Sequence, residues 1–393
     1  DIYLKLEKYN FLKRNDYLIS KIQSIESFDS SSIEQIPLAP TISYHGQFDI
    51  FNDSSLLTNF DYKILNRDKS TEENPSEHYR VNLNNFILFN NKIGDIQSYN
   101  RVSSLNSLNE YKFEHNSNLD RQENNNTLIF SSDNYLNFYK KIKPRFKIIH
   151  YQDINHSNDI INDDSKSITF NYNNQYSDNR FFGNDLSDNT SRIIYGLEGD
   201  FDLYNNKFKL NINQSYDSLK NSNYAKLTNQ SSRLSDYSLE FLTSYKKINF
   251  STDIRIDESK LSKKEMNYNL DFKYFADINF VYNETNSDAY QDLNNDTKSL
   301  ELDISKKLNN NLKIGYSSKL DLKNNFSPYK DSIGISLNDE CSQLDISYSN
   351  TRFNDNYNTS PSETLSIRFA MDYLGFFGYE QSTNLFFEEA GNF

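Results

Sequence analysis

The sequence predicts an all-β chain, a large antiparallel transmembrane β-barrel of the outer-membrane type. Three observations predict it. Apolar and polar residues alternate with period two in segment after segment. Short and long polar joins take turns between those segments. Aromatic residues are abundant although most of the chain is polar. A sheet that meets lipid with one face and water with the other produces all three.

The alternation is clearest toward the C-terminus. DSIGISLND sets Ile333, Ile335 and Leu337 against Ser332, Gly334 and Ser336. QLDISYS sets Leu344, Ile346 and Tyr348 against Asp345 and Ser347. TLSIRFAMDY runs Leu365, Ile367, Phe369, Met371 and Tyr373 against Ser366, Arg368, Ala370 and Asp372. KFKLNINQSY (Lys207–Tyr216) and KINFSTDIRI (Lys247–Ile256) repeat the pattern. Successive side chains on a strand point to opposite faces. The apolar set of the closing segment is therefore expected to meet lipid, with Ser366, Arg368 and Asp372 in a water-filled lumen. No segment carries a sustained i, i+3, i+4, i+7 apolar stripe, so helices are not predicted.

The joins supply the second argument. Tight ones centre on Asn205, Lys246, Asn310 and Glu340. Long polar stretches lie over Asn221–Asp236, Asp257–Asn267, Asn283–Ser299, Asn324–Asp331 and Asn350–Glu363. Outer-membrane barrels have tight turns on one side and long loops on the other. A soluble sandwich or propeller shares the period of two but has no reason to alternate its joins, and no fixed-period repeat is present. A crossing strand needs ~9–11 residues, so with loops this chain supplies about 16–20 strands.

Composition closes off other classes. The 29 Tyr and 29 Phe are what disordered chains lack. A net charge of −13 gives no basic face for nucleic acid. No run approaches the ~18 apolar residues of a membrane-spanning helix, which says nothing against strands. With no initiator Met and no leader pattern, the chain reads as a mature or truncated fragment. Its single cysteine, Cys341, rules out a disulfide within the chain.

Reactive chemistry is not evident. His45, His78, His115, His150 and His156 have no metal-binding spacing, and His150 with His156 could at most share a strand face. DLNNDTKSLELD from Asp292 has Asp292, Asn294 and Asp296 in a calcium-loop rhythm, but Thr297 replaces the Gly and Asp303 the bidentate Glu. There is no GxSxG, P-loop or GxGxxG. No catalytic residue, cofactor or metal is predicted, although some outer-membrane barrels are lipases or proteases. Acidic neighbours Asp339 and Glu340 disfavour a Cys341 thiolate.

One segment is more specific. NRFFGNDLSDNTSRIIYGL resembles the R-[FL]-x-G-x-D…R-x-x-Y-G pattern of the LptD family of lipopolysaccharide-assembly proteins. The matching residues are Arg180, Phe181, Gly183, Asp185, Arg192, Tyr195 and Gly196. IPLAPTISY (Ile36–Tyr44) is similar to that family's Pro-containing lead into an early strand. IKPRFKII (Ile142–Ile149) is similar to its L-x-P-R segment. DECSQLDISYS…SPSETLSIRFAMDYLG is similar to its final strands, with Cys341 at the penultimate turn.

The resemblance implies a chain covering the C-terminal part of the barrel domain, 1–393, with a periplasmic jellyroll and the first strands before it. It implies an outer-membrane translocon of a Gram-negative bacterium that inserts lipopolysaccharide into the outer leaflet. Lipid passes a lateral gate and glycan the lumen. The implied partners are lipopolysaccharide, an LptE-like plug lipoprotein, periplasmic Lpt bridge proteins, the barrel-assembly machinery and outer-membrane lipids. Leu365, Ile367, Phe369, Met371 and Tyr373 would form the last strand, one lip of the gate and the insertion signal. Family members link the penultimate turn to an N-terminal domain by disulfides, so Cys341 would pair with a residue upstream of this chain. Arg180, Asp185 and Arg192 would pin an inward-folded loop through Arg–carboxylate pairs, with Asp178, Asp185 and Asp188 at hand, or meet lipopolysaccharide phosphates. A porin or substrate-specific channel is the alternative, and an adhesin or autotransporter-like barrel a third.

Overall fold

The computed structural model describes residues 2–12, 15–24, 40–51, 54–66, 75–114, 116–137, 141–155, 166–167, 171–182, 188, 190–203, 206–219, 232–286, 296–323, 327–339, 341–352, 362–371 and 375–384. Twenty strands form one sheet. In chain order the first eight are β1 (Ile2–Tyr9), β2 (Asp16–Ser24), β3 (Thr41–Phe51), β4 (Ser54–Asn66), β5 (Glu77–Ile93), β6 (Ile96–Lys112), β7 (Arg121–Leu136) and β8 (Ile142–Asn155). A small two-stranded sheet, β9 (Lys166–Ser167) and β10 (Phe181–Phe182), follows with the one-turn helix α1 (Tyr172–Gln175) between its strands. The large sheet resumes with β11 (Arg192–Leu203), β12 (Asn206–Asp217), β13 (Tyr237–Tyr245), β14 (Ile248–Ile256), β15 (Lys263–Lys273) and β16 (Asp277–Thr285). It continues through β17 (Thr297–Lys307), β18 (Leu312–Asp321), β19 (Ser327–Asn338), β20 (Ser342–Thr351), β21 (Ser362–Met371) and β22 (Gly375–Asn384). Sequential strands pair antiparallel, as in β5 with β6 and β20 with β21, and β8 pairs with β11.

Two compact units divide the chain, and several residues at the β11–β12 hairpin and the following join alternate between them. Unit 1 holds Asp1–Leu197, Asn213–Ala225 and Gln230–Ser235; unit 2 holds Glu198–Ile212, Lys226–Asn229 and Asp236–Phe393.

In unit 2 the register lines up side chains of one kind across many strands. Phe272, Ile278, Ile304, Tyr316, Ile333, Tyr348 and Leu365 are successive partners from β15 to β21. One residue along lies a row of opposite character: Asp271, Asn279, Asp303, Ser317, Ser332, Ser349 and Thr364. Adjacent rows stand on opposite faces, so the sheet has one apolar and one polar face. The apolar face lies open: Ile333 is 59% exposed. A two-faced sheet with its greasy side outward is what a lipid-facing wall requires.

Unit 1 shows the same division. Leu56, Ile87, Val102 and Phe130 are successive partners on the apolar face. Its buried core lies on the other face, where Ile129, Ile149, Tyr151 and Ile194 pack with Tyr172 and Tyr176. Long strands give this unit its depth, β5 and β6 each running 17 residues.

The joins keep the expected alternation with altered edges. Short ones fall at 204–205, 246–247, 308–311 and 339–341, and longer ones at 218–236, 257–262, 286–296, 322–326 and 352–361. The stretch expected as a loop through Asn267 is already strand from Lys263, and Asn283 still belongs to β16. Asn, Lys and Asp side chains on a water-facing strand mimic loop composition, which is why those edges move. A second correction concerns the end of the sheet. The described part of the segment expected to close the sheet, Leu365–Met371, belongs to β21, and a further strand, β22, follows and pairs with all of β21.

Candidate functional site

The segment between β8 and β11 builds a buried charge cluster on the polar face of unit 1. Asn171 caps α1 reciprocally with Asn174: its side chain accepts from the Asn174 N–H at 2.9 Å, while the Asn174 side chain accepts from the Asn171 N–H at 2.8 Å. Tyr172, Gln175 and Tyr176 then point into the core. The segment is fastened to strands on either side. Asn213 of β12 donates to the Tyr172 carbonyl at 2.8 Å, and Lys147 of β8 to the Tyr176 carbonyl at 2.6 Å. The Tyr151 hydroxyl of β8 donates to the Asp178 carbonyl.

Arg180 is the centre. Its side chain is 1% exposed and makes two fork-like pairs: Asp188 at 2.6 and 3.2 Å, and Asp217 at the end of β12 at 3.1 Å to each oxygen. Arg192, the first residue of β11, donates to Asp188 and to the carbonyls of Ser177 and Asp178. The Thr190 hydroxyl completes the Asp188 shell at 3.1 Å. Two guanidiniums thus face two carboxylates, a neutral set, which is the condition for burying charge at tolerable cost. Burial pushes the Asp188 carboxyl up, but Arg192 and Arg180 outweigh it and hold the group well below the usual carboxylate range.

A second tier extends the cluster along the sheet. Asp178 meets Lys147 at 2.7 Å and Arg101 of β6 at 3.2 Å. Arg145 of β8 forks onto Asp133 at 3.0 and 2.6 Å and lies over the Tyr176 ring at 3.6 Å from its centroid. Beside these groups opens a polar cleft of about 790 Å³ whose walls include Asp49, Asn90, Arg101, Ser131 and Lys147. Mixed charges and hydroxyls suit a hydrated polar chain, and none of them is arranged as nucleophile, base and orienting group.

The expected site residues are distributed as follows. Arg180, Phe181 and Arg192 are buried together. Tyr195 is 45% exposed on the opposite face, donating to Gln214 at 2.6 Å, and Gly196 shares the strand face of Arg192. Tyr195 stands three positions after Arg192, and an odd spacing on a strand sends side chains to opposite faces. Gly183, Asp185 and Tyr373 lie outside the described residues. Leu365, Ile367, Phe369 and Met371 share the open apolar face of β21. Cys341 is a free, exposed thiol in the 339–341 turn. His150 bonds the Ser191 hydroxyl at 3.0 Å, and His156 lies outside the described residues. Asp303, the would-be twelfth calcium-loop position, sits inside β17.

Asp217, Lys147 and Arg145 escaped the sequence reading as site residues, while Asp178, named there as a carboxylate for the arginines of the motif, pairs with Lys147 and Arg101 instead. Arg145 lay within the quoted IKPRFKII match; Asp217 had no local signal, being 37 residues from Arg180. Among the described residues one trio, Asp236, Asp257 and Glu258, has carboxylates close enough for a cation. The Lys264 ammonium already lies 2.8 Å from Asp236 and 2.9 Å from Asp257, supplying the charge an ion would bring.

Residues 7–312 match the family described as "LptD: LPS transport system D". The chain belongs to the LptD family. This family serves lipopolysaccharide transport at the Gram-negative outer membrane. No curated protein matches the chain. Among solved structures it is similar to a point variant of the ferric enterobactin receptor of Pseudomonas aeruginosa, at 8% identity and a TM-score of 0.51. That likeness covers 98% of this chain and 71% of the receptor. At this identity it speaks to fold alone, and the fold is an outer-membrane β-barrel. The polar face of this LptD-family sheet is accordingly the luminal one and the open apolar face the lipid-facing one.

Proposed function

We propose that this LptD-family chain is the barrel of a translocon that inserts lipopolysaccharide into the outer leaflet. The glycan crosses the polar lumen while the acyl chains leave through a lateral seam. One observation carries the reading within the family: segment 171–182 is fastened onto the luminal face by the Arg180–Asp188–Arg192–Asp217 cluster. The fastened segment borders the cleft beside it, and that cleft offers a sugar and its phosphates both hydroxyls and the partly exposed Arg101. The loop-pinning role belongs to Arg180 and Arg192, with Asp188 as their shared carboxylate. The seam role expected of Leu365, Ile367, Phe369, Met371 and Tyr373 is carried in this reading by β21 together with its partner β22. Under this reading lipopolysaccharide arrives from periplasmic Lpt bridge proteins, an LptE-like lipoprotein occupies the lumen, and the barrel-assembly machinery inserts the chain. The exposed Cys341 thiol is, in this reading, the one that forms a disulfide with an upstream domain. The protein performs transport, not covalent chemistry.

Depletion tests the proposal. Newly made, pulse-labelled lipopolysaccharide should stop reaching the cell surface and accumulate internally. Unchanged surface delivery together with reduced uptake of small solutes would instead make the chain a porin-like channel.

A further inference from the structure

We infer that the short-turn end of β13–β17 is a headgroup-binding rim that selects anionic phospholipids. The inference goes beyond the export reading and rests only on the barrel fold. The chain carries a net charge of −13, yet this end displays cations together with aromatic rings. Lys246 and Lys247 form the two-residue turn after β13, and Lys246 adopts a left-handed φ of 51°. The Lys246 ammonium lies over the Tyr245 ring at 5.1 Å and that of Lys247 over Tyr274 at 5.4 Å. Tyr274 stacks on Phe272 with centroids 5.6 Å apart and planes 16° from parallel. A backbone hydrogen bond from Lys273 to the Lys247 carbonyl, 2.9 Å, joins the two hairpin tips. Tyr274 and Phe275 at the second tip are 70% and 69% exposed. Lys306, two strands on, ends the apolar-face row of β17. Among the described residues no carboxylate forms an ion pair with Lys246, Lys247 or Lys306.

The occupant follows from what adjoins the rim. Phe208, Phe241, Phe250, Tyr268 and Tyr282 form a continuous ladder on the same face, with successive centroids 6.3, 6.0, 5.9 and 5.9 Å apart. A rim continuous with such a hydrocarbon-facing band sits at headgroup depth, where amphipathic rings and snorkelling lysines belong. Uncompensated ammonium groups at that depth favour a phosphate bearing net negative charge over a zwitterion.

The absence of tryptophan makes a direct test possible. Phe275→Trp places a single indole from this chain at the rim of the full protein, reconstituted in vesicles of phosphatidylcholine with a minor share of phosphatidylglycerol. Quenching is compared when either lipid carries brominated acyl chains, at equal mole fraction. Brominated phosphatidylglycerol should quench at least about five-fold more strongly, the fold-change that the attraction of a single lysine near the surface already gives. That preference should vanish in K246Q/K247Q/K306Q and shrink in high salt. Equal quenching by both lipids would overturn the proposal. So would an indole that neither lipid quenches, which would place the rim in water or against a protein partner.

Discussion

Replacing Asp188 with asparagine preserves shape and removes one charge from the middle of the cluster. Asp188 accepts from Arg180 at 2.6 and 3.2 Å and from Arg192, all with essentially no exposure. In the variant, Arg192 retains the carbonyls of Ser177 and Asp178, while Asp217 continues to serve Arg180. Two buried guanidiniums then share one carboxylate. A unit charge pair about 4 Å apart at an effective dielectric near 20 is worth ~4 kcal/mol. Removing one member of a buried pair typically costs ~3–5 kcal/mol, so the two routes agree. At ~1.4 kcal/mol per decade, local opening of the segment should increase roughly a thousandfold. Amide hydrogen exchange reads this at Gln175 and Ser177, whose N–H groups donate within the segment at 3.3 and 3.0 Å. Amides of β16 serve as the unaffected reference. Adding Arg192→Gln restores neutrality and should recover part of the protection, the signature of coupling in a double-mutant cycle. Acceleration below about tenfold at both amides, or no recovery in the double variant, would refute the cluster as the fastener.

Three further outcomes are expected. The Asp188 carboxyl is depressed on folding, so its contribution is complete above its unfolded value and is lost as pH falls through the folded one; protection of Ser177 should hold from pH 7 to 5 and decline only below about pH 4, and an earlier loss would assign it to another group. Arg145→Lys keeps the charge but gives up the fork onto Asp133 and the contact with Tyr176, and should cost about 2 kcal/mol in urea unfolding of the reconstituted protein; an unchanged midpoint would remove Arg145 from the support of the segment. Ile367→Arg puts a charge on the open face of β21 and should lower folding stability in vesicles by ~2–4 kcal/mol if that position lies at mid-bilayer, whereas Arg368→Gln on the luminal face should be nearly neutral. Equal effects of the two would refute the assignment of faces.

Much of the fold was written into local pattern. The step from Ile333 to Ile335 to Leu337 fixes which side chains share a face, because a strand's period of two is a property of its own backbone. Join lengths depend on where alternation stops, so their order was legible, while polar strand ends at Lys263 and Asn283 hid the boundaries. The odd spacing of Arg192 and Tyr195 even contained their separation. The cluster is another matter. Sequence supplied three nearby aspartates for Arg180; the structure puts Asp188 against it and brings in Asp217 from the end of β12. Burial of a guanidinium demands carboxylates at fixed distance and angle. Strand register and the path of segment 171–182 over the sheet set those distances, and neither is encoded in the residues around Arg180. Sequence alone therefore determined a two-faced sheet of membrane type; the tertiary structure decided which charges meet inside it, because a buried ion pair is specified by three-dimensional geometry and not by order along the chain.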